Sequence, residues 1–415
     1  MTTEQQPLVL NPLDPAFREN PYPVYSRLVR EEPVHVTPFG VKAFSRLEDC
    51  MAILRDHRRF SSNDANAGVP NVTGIDPMAI ESGPMISEDD RPFLFMDPPD
   101  HTRLRRLVNL AFTPRALEAL RPRVQELVDE LLDAMEGREE IDAIADLAYP
   151  LPVSVICEML GVPREDEPQF KVWSRVLASS LDPDIAVAPD VLLKRQQAIA
   201  DSRQYFRELI KKRGDARPPD ILSGLLAAEE EGDKLSEGEL LSTCTMILIA
   251  GHETTVNLIG NGILQLLRHP DQLALFRERP ELAKEVVEEV LRFDPPVQFD
   301  GRICVEATEI AGVRIEPGEF VMTLLGAANR DPSQFSDPDT FDITRGERDQ
   351  AADRHLAFGF GIHYCLGAPL ARLEGEIALR SFTQRFPNAR LLDERPQYRA
   401  QITLRGLERL RLGLR

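Results

Sequence analysis

The spacing of hydrophobic positions along most of the chain is helical. From Pro114 to Gly137, apolar residues return every three or four positions, which predicts one amphipathic helix that stops at the glycine. A longer pattern begins at Ser236, where Glu239 follows three residues later as in a capping box, and it continues to about Arg268. At about 1.5 Å per residue, this helix spans roughly 50 Å and would cross the whole molecule.

Shorter elements and loops complete the predicted fold. A third helix is expected from near Pro280 to the residue before Asp294, and strand-like alternation occurs over residues 34–44 and 302–313. Residues 61–95 are rich in Gly, Pro, Asn, Asp and Ser, which predicts a long loop. No repeat or low-complexity linker divides the chain. We therefore predict a mainly α (α+β) fold in a single domain, residues 1–415, with residues 1–20 as an extended N-terminal segment.

Composition and charge narrow the classes of partner and location. The 415 residues are 42% hydrophobic and 28% charged, as in ordinary globular proteins. Asp and Glu number 68 against 49 Lys and Arg, a formal charge of −19, which argues against a nucleic-acid partner. Five scattered cysteines without a CxxC pair favour a reduced, cytoplasmic protein. No apolar run approaches the roughly 20 residues that a membrane anchor needs.

The strongest chemical signal is the segment Phe358–Ala368, FGFGIHYCLGA, in which one cysteine stands among three glycines. Glycines allow the backbone to approach a flat group closely. Cys365 precedes an apolar helical run, and a helix N-terminus is expected to lower the pKa of the thiol and favour a thiolate ligand. A buried structural cysteine is the usual alternative for an isolated residue, but it fits this whole string poorly.

A second signal, Ala250–Thr255 (AGHETT), lies in the middle of the long predicted helix. A glycine inside a helix costs about 1 kcal/mol relative to alanine, so Gly251 indicates a packing or functional reason. A zinc-binding HExxH motif would need a histidine at position 256, where the chain has Val256, and a metal hydrolase is therefore disfavoured. A kinked core helix with a paired polar group is the structural alternative.

Two further patterns consist of charged residues. Glu289 and Arg292 stand three apart on a predicted helix, a spacing that most often marks a surface pair. His101 and Arg105, in the run HTRLRR, stand four apart and share one helix face. By itself that run suggests a solvated basic surface. The Glu289 and Arg292 pair gains significance from its position between the long helix and the segment that contains Cys365.

These four segments together resemble the cytochrome P450 superfamily, in the family's order from about residue 20 to the C-terminus. The family's F-x-x-G-x-x-x-C-x-G signature is met by Phe358, Gly361, Cys365 and Gly367. The resemblance implies haem b with the Cys365 thiolate as axial ligand, which pushes electron density onto iron and favours O–O cleavage. It also implies the family's fold, a large helical lobe whose long central helix crosses the haem and a smaller β-containing lobe.

The same resemblance assigns roles on the central helix. The family's A-G-x-[DE]-T pattern implies that the helix opens beside the haem at Ala250 and Gly251 to seat dioxygen. Glu253 and Thr254 would be the catalytic acid–alcohol pair that relays protons there, since oxygen activation needs donors in fixed positions.

Two sets of charged side chains also receive roles from the resemblance. The haem propionates, a buried dianion that needs paired charge, would be bound by His101, Arg105, Arg302 and His363. The Cys loop would be held by a structural set, Glu289, Arg292 and Arg345.

By resemblance, the chain is expected to be a monooxygenase that inserts one atom of O2 into a lipophilic organic substrate. It contains no flavin or iron–sulfur motif, so its electrons would come from separate proteins, a ferredoxin and its NAD(P)H-dependent reductase. A basic face near Arg103, Arg106 and Arg372 is a candidate docking surface for an acidic ferredoxin. The net charge runs against that surface, and solvated arginines are the alternative.

Substrate identity does not follow from the sequence. The candidate pocket residues are apolar side chains near the expected haem, Ile247, Ala250, Val297 and Phe299. Two alternative functions stay open. One is a peroxygenase, desaturase or coupling enzyme with the same cofactor, which product analysis would distinguish. The other is a non-catalytic haem sensor, which would not need Glu253 and Thr254.

Overall fold

Helices make up most of the chain, and short strands form small sheets. A computed structural model describes residues 8–38, 40–66, 91–182, 187–216, 218–230, 232–348 and 354–415. Numbered in chain order, the α-helices of these residues are α1 (Pro15–Glu19), α2 (Tyr22–Glu31), α3 (Leu47–Arg55), α4 (Asp100–Ala111), α5 (Pro114–Glu118), α6 (Arg121–Asp133), α7 (Pro150–Met159), α8 (Glu167–Leu177), α9 (Pro189–Arg213), α10 (Ile221–Ala227), α11 (Glu237–Arg268), α12 (Pro270–Glu278), α13 (Ala283–Phe293), α14 (Leu325–Ala328), α15 (Arg345–Arg348) and α16 (Ala368–Arg385). The strands are β1 (Val34–Val36), β2 (Lys42–Phe44), β3 (Phe60–Ser61), β4 (Glu140–Asp142), β5 (Glu229–Glu230), β6 (Asp233–Lys234), β7 (Asp300–Cys304), β8 (Thr308–Ile310), β9 (Val313–Ile315), β10 (Phe320–Thr323), β11 (Arg390–Leu391) and β12 (Arg411–Gly413).

The larger sheet joins strands that are far apart in the chain. Its order is β1-β2-β10-β7-β3, with β2 and β10 parallel and the other pairs antiparallel. A second sheet has the order β11-β12-β4, and β5-β6 and β8-β9 are two-stranded. The alternation over residues 34–44 is therefore the pair β1-β2. A single strand over 302–313 is wrong, because β7 ends at Cys304 and the chain turns at Ala311 and Gly312, which both have positive φ.

The long central helix is confirmed as α11. The Ser236 hydroxyl accepts from the Glu239 N–H at 3.2 Å, and the Glu239 carboxylate accepts from the Ser236 N–H at 2.8 Å, so the capping box is complete. Most of α11 is buried between α7, α9, α13 and α16. A Cβ on Gly251 would lie 2.7 Å from Cδ1 of Ile156 in α7, so this glycine lets the two helices approach closely.

The single helix expected from residue 114 to 137 is wrong, because the chain forms α5 and then α6. Pro122 explains the interruption. It has no N–H to donate, and its ring would clash with the carbonyl group of Glu118 if the helix continued. In the first turn of a new helix the same proline is favourable, and α6 begins there.

The N-terminal segment is not wholly extended as predicted, because residues 15–19 form α1. The Asp14 carboxylate accepts from the Ala16 N–H at 2.9 Å, and Pro15 occupies the first turn. Residues 1–7 lie outside the described residues. Of the loop predicted over residues 61–95, residues 67–90 also lie outside them. The third predicted helix is present as α13, which ends at Phe293 as expected.

A buried ion pair ties the two ends of the chain to the centre. Arg405 donates to Asp294 at 2.7 Å and to the carbonyl oxygen of Glu19 at 3.1 Å. Asp294 also accepts from Tyr22 at 2.6 Å and from Gln265 at 2.8 Å. Burial opposes the ionised form of Asp294, but Arg405 and these donors hold the pKa of that carboxyl below its usual range.

Among the described residues, no helix combines the length and the apolar character that crossing a bilayer would demand.

Candidate active site

The segment that carries Cys365 is a loop held by its own backbone and by close packing. The N–H of Cys365 donates to the carbonyl oxygen of Phe358 at 3.0 Å. Gly361 has a φ of +76°, and a Cβ there would overlap the carbonyl oxygen of Leu54 in α3. Glycine is therefore required at this position by the close approach of another backbone.

Cys365 differs from the other four cysteines, because its side chain is exposed and theirs are buried. The protein around its sulfur nevertheless raises the pKa of the thiol, while the N–H groups of Gly367 and Ala368 and the charges of Arg105 and Arg372 act in the opposite direction. The N–H groups at the start of α16 therefore act on the thiol in the predicted direction, and desolvation acts against them. The N–H groups directed at the sulfur suit a thiolate that binds a metal cation.

The four predicted propionate-binding side chains lie together beside the Cys loop. The rings of His101, from α4, and His363 have centroids 4.2 Å apart, and His363 is within electrostatic reach of Arg105 and Arg302. Arg105 donates to the carbonyl oxygen of Tyr364 at 2.8 Å, which connects α4 to the residue before the cysteine. Elements distant in sequence therefore place these groups at one location.

The chemistry of this group fits the haem that the sequence suggested. Both ring nitrogens of His101 and Nε2 of His363 are buried without a hydrogen-bond partner among the described residues. Burial lowers the pKa of His101 to about 4 and that of His363 to about 3, so both rings are neutral near pH 7 and each can donate one N–H. Buried donors beside Arg105 and Arg302 suit a ligand that brings carboxylates with it.

Glu253 and Thr254 lie on α11 in different surroundings. Glu253 is 0% exposed, its Oε1 forms an ion pair with Arg399, and its Oε2 lies 3.7 Å from Nδ1 of His252. Thr254 is half-buried, and its hydroxyl donates to the carbonyl oxygen of Ala250 at 2.9 Å. The helix runs unbroken through this segment, so the opening implied by the resemblance is not present as a gap in α11.

Glu289, Arg292 and Arg345 form one buried cluster. Arg292 makes two hydrogen bonds of 2.8 Å to the Glu289 carboxylate, and Arg345 adds contacts of 3.2 and 3.3 Å. Both guanidinium groups also donate to backbone carbonyls, and Thr340 accepts from both. The charges are therefore paired and their donors largely used, as a buried ion cluster requires.

Arg372, expected on a docking surface, belongs instead to a half-buried network. It donates to Glu288 at 2.5 and 2.9 Å, and its guanidinium lies 4.5 Å from the ring centroid of Phe358. Arg103 is likewise paired, with Asp233 at 3.1 Å and with Glu239. Carboxylates therefore neutralise two of the three arginines proposed for a basic face.

The candidate pocket residues do not form one apolar group. Ile247 belongs to the large hydrophobic cluster around α11, whereas Phe299 is buried in a separate cluster with Leu10 and Tyr25. Ala250 and Val297 are half-buried, and Val297 pairs with Leu404 as an isolated β-bridge.

Sequence reasoning did not identify Arg399 or Asn329. Asn329 accepts from the N–H of Leu356, just before the Cys loop, at 2.6 Å, and its own carbonyl accepts from Arg292 at 3.1 Å. A buried acid on the central helix implies some counter-charge, but the motif does not indicate which arginine supplies it.

Comparison with known proteins gives one consistent result. The family model described as cytochrome P450 matches residues 85–399. The chain is 42% identical to cytochrome P450 107B1 of Saccharopolyspora erythraea, over 99% of this chain and 98% of that protein. It is 42% identical to the cytochrome P450 monooxygenase PikC of Streptomyces venezuelae, over 94% and 90% of the two chains. The crystal structure of P450BioI with an acyl carrier protein superposes with a TM-score of 0.86 at 39% identity, covering 97% of this chain and 99% of that one.

Proposed function

This chain belongs to the cytochrome P450 family, and on that basis we propose that Cys365 is the thiolate ligand of its haem iron. The enzyme is a haem-thiolate monooxygenase that acts on a lipophilic substrate. Bound haem b supplies the activation of dioxygen, one atom of which enters the substrate while the other leaves as water. The observation that carries the assignment is the hydrogen bond from Arg105 to the carbonyl oxygen of Tyr364, the residue before Cys365. It joins the Cys loop to the basic cluster, which consists of His101, Arg105, Arg302 and His363.

The basic cluster would hold the haem propionates. His101 and His363 would each donate one N–H to a carboxylate oxygen, and Arg105 and Arg302 would supply the positive charge. Gly367 places no side chain beside the Cys365 sulfur, from which a Cβ there would be 3.9 Å away, while Phe358 packs beneath Arg372 at the base of the loop.

Glu253 and Thr254 would act as the proton-delivering pair. A carboxyl group can take and return a proton, and the Thr254 hydroxyl, now bonded to Ala250, can donate once it turns from that carbonyl. Ile247 and Ala250, which precede Thr254 on α11, would bound the substrate pocket, whereas Phe299 packs in the separate cluster with Leu10 and Tyr25. Glu289, Arg292 and Arg345 would keep the Cys loop in place.

Electrons would reach the enzyme from a ferredoxin and its NAD(P)H-dependent reductase. The support is the family resemblance and a sequence without flavin or iron–sulfur motifs. The five cysteines are free thiols, which supports a cytoplasmic location. One hydrophobic cluster extends from Phe93 to Leu414, and another joins Leu10 and Tyr25 to Phe299 and Leu324, which supports the prediction of a single domain over residues 1–415.

The assignment of Cys365 is tested by the absorption spectrum of the dithionite-reduced protein with carbon monoxide. The wild type should show the strongly red-shifted Soret band of a thiolate-ligated haem, and Cys365→His should lose it. Cys304→Ser, which removes a buried thiol elsewhere, should keep the band. The assignment is wrong if Cys365→His retains the red-shifted band.

A further inference from the structure

A small open cleft, with room for about one water molecule, lies between the N-terminal helices and the C-terminal segment. Phe17 and Tyr25 line one side, and Arg399 and Gln401 line the other, with Gln298 between them. The side-chain oxygens of Gln298 and Gln401 are buried without a hydrogen-bond partner among the described residues. Buried polar atoms of this kind are usually satisfied by ordered water, so the cleft suits a bound water molecule.

Arg399 connects this cleft to the catalytic helix. Its side chain is 22% exposed, and its Nη1 contacts Oε1 of Glu253, whose side chain is 0% exposed. Neither oxygen of Glu253 accepts a hydrogen bond of ordinary geometry from the described residues. The ion pair with Arg399 therefore holds the Glu253 carboxylate mainly by charge. No directional hydrogen bond within the described part of the chain fixes the side-chain rotamer, so the carboxylate can rotate.

Arg399 is the cation that neutralises Glu253. His252 also lies near the carboxylate, but burial, with the charges of Arg399 and Arg175, lowers the pKa of His252 to about 3, so its ring is neutral near pH 7. Arg175 lies over the ring of Tyr149, 4.8 Å from its centroid, and that ring packs against His252. Burial also lowers the pKa of Arg399, yet a guanidinium stays protonated at physiological pH.

We propose that Arg399 is the positioning residue for Glu253 and that the cleft beside it is the route by which protons reach this carboxylate. Arg399, which lines the cleft, holds the fully buried Glu253 ionised behind it. A water molecule in the cleft passes a proton to Glu253 as it takes one up from bulk solvent, while Arg399 keeps its own proton throughout. Glu253 then passes the proton towards Thr254 and returns to Arg399. The inference rests on the proposed role of Glu253.

The first test is an infrared difference spectrum of the holoenzyme at pH 7, with Glu253→Gln used to assign the carboxyl bands of Glu253. The wild type should show an ionised carboxylate, and Arg399→Gln should show a protonated carboxyl, because a buried carboxylate without its counter-charge favours the neutral form. Arg399→Lys should restore the ionised band. Arg395→Gln, which removes an 84% exposed arginine from the same segment, should match the wild type. An ionised Glu253 in Arg399→Gln would overturn the positioning role.

The second test measures the solvent deuterium isotope effect on turnover. Arg399→Gln should lower turnover roughly tenfold or more and enlarge the isotope effect, with an unchanged KM for substrate. Gln401→Leu replaces a cleft oxygen without touching Glu253. It should enlarge the isotope effect while leaving the infrared band as in the wild type. The route is wrong if Gln401→Leu leaves the isotope effect unchanged.

These outcomes separate the inference from the proposed function. If Glu253→Gln turns over like the wild type with an ordinary isotope effect, the proposed role of Glu253 fails. If Glu253→Gln is impaired but Arg399→Gln and Gln401→Leu are not, only the inference about Arg399 and the cleft fails.

Discussion

The side-chain oxygen of Asn329 accepts a hydrogen bond of 2.6 Å from the backbone N–H of Leu356. Both residues are buried, and Asn329 also receives a donor of Arg292 on its backbone carbonyl. One asparagine therefore links the ion cluster on α13 to the segment that leads into the Cys loop. The position of that loop depends on a bond that no family motif indicates.

Asn329→Ala should lower the free energy of unfolding by about 1–3 kcal/mol, because it leaves the buried Leu356 N–H without an acceptor. It should also speed the loss of haem to an acceptor protein, since the Cys loop is no longer tied to α13. Urea unfolding and haem-transfer kinetics measure the two effects. Asn109→Ala, at an exposed site on α4, is the control, and equal behaviour of the two variants would contradict the link.

Arg345→Ala should destabilise the protein by about 3–5 kcal/mol, because Glu289 loses one of its two buried guanidinium partners. Arg345→Lys should recover only part of this, since one ammonium cannot replace donors to Glu289 and to three backbone carbonyls. Chemical unfolding of both variants gives the values.

Arg314→Ala is the matched control for Arg345→Ala. It breaks an exposed pair with Glu316, whose contribution should be about 0–1 kcal/mol. A loss in Arg345→Ala no larger than in this control would show that the buried cluster does not stabilise the fold.

Gly251→Ala should destabilise the protein even though alanine is the better helix former by about 1 kcal/mol. The added Cβ would meet Cδ1 of Ile156, forcing α7 and α11 apart. Ile156→Val shortens that side chain and should reduce the cost of the alanine. The double-mutant cycle, measured by thermal unfolding, should therefore give a favourable coupling energy. Simple additivity of the two single changes would show that this contact does not set the helix spacing.

His252 should make the protein less stable as the pH falls below about 6.5. Its folded pKa is lowered to about 3, chiefly by burial, so the unfolded chain binds the proton first and unfolding becomes easier between pH 6.5 and 3. At pH 5 the loss should be about 2 kcal/mol. His252→Gln should flatten this part of the dependence of Tm on pH, with pH 8 as the reference. A slope equal to that of the wild type would contradict burial of a neutral ring.

The sequence allowed the elements with strong local signals to be predicted. Ser236 and Glu239 are three residues apart, so a capping box is a local property, and the start of α11 followed from it. The prediction of one helix over 114–137 was wrong because the hydrophobic spacing continues across Pro122, whereas the helix itself cannot. The strand over 302–313 failed because the Ala311-Gly312 turn, at which both residues have positive φ, separates apolar positions that belong to two strands.

The site residues could be predicted only where they lie close together in the sequence, within one short motif. Cys365, Gly361 and Glu253 stand in short strings with a known order. The ion pair of Glu253 with Arg399 joins positions 146 residues apart, and either residue alone has no distinguishing spacing. Similarly, whether Arg372 is free for docking depends on Glu288, which lies on another helix.

The pairing of Arg405 with Asp294 has a consequence for how the molecule is made. The same guanidinium donates to the backbone carbonyls of Arg18 and Glu19, so it closes a contact between the first and last parts of the chain. During synthesis this arginine emerges from the ribosome 111 residues after Asp294. Until then, Asp294 has no guanidinium partner, and the nascent chain cannot complete the packing of its N-terminal helices. The N-terminal packing of this enzyme is therefore completed only after residue 405 has been synthesised, and a chain that stopped before it would keep a buried carboxylate without its cation.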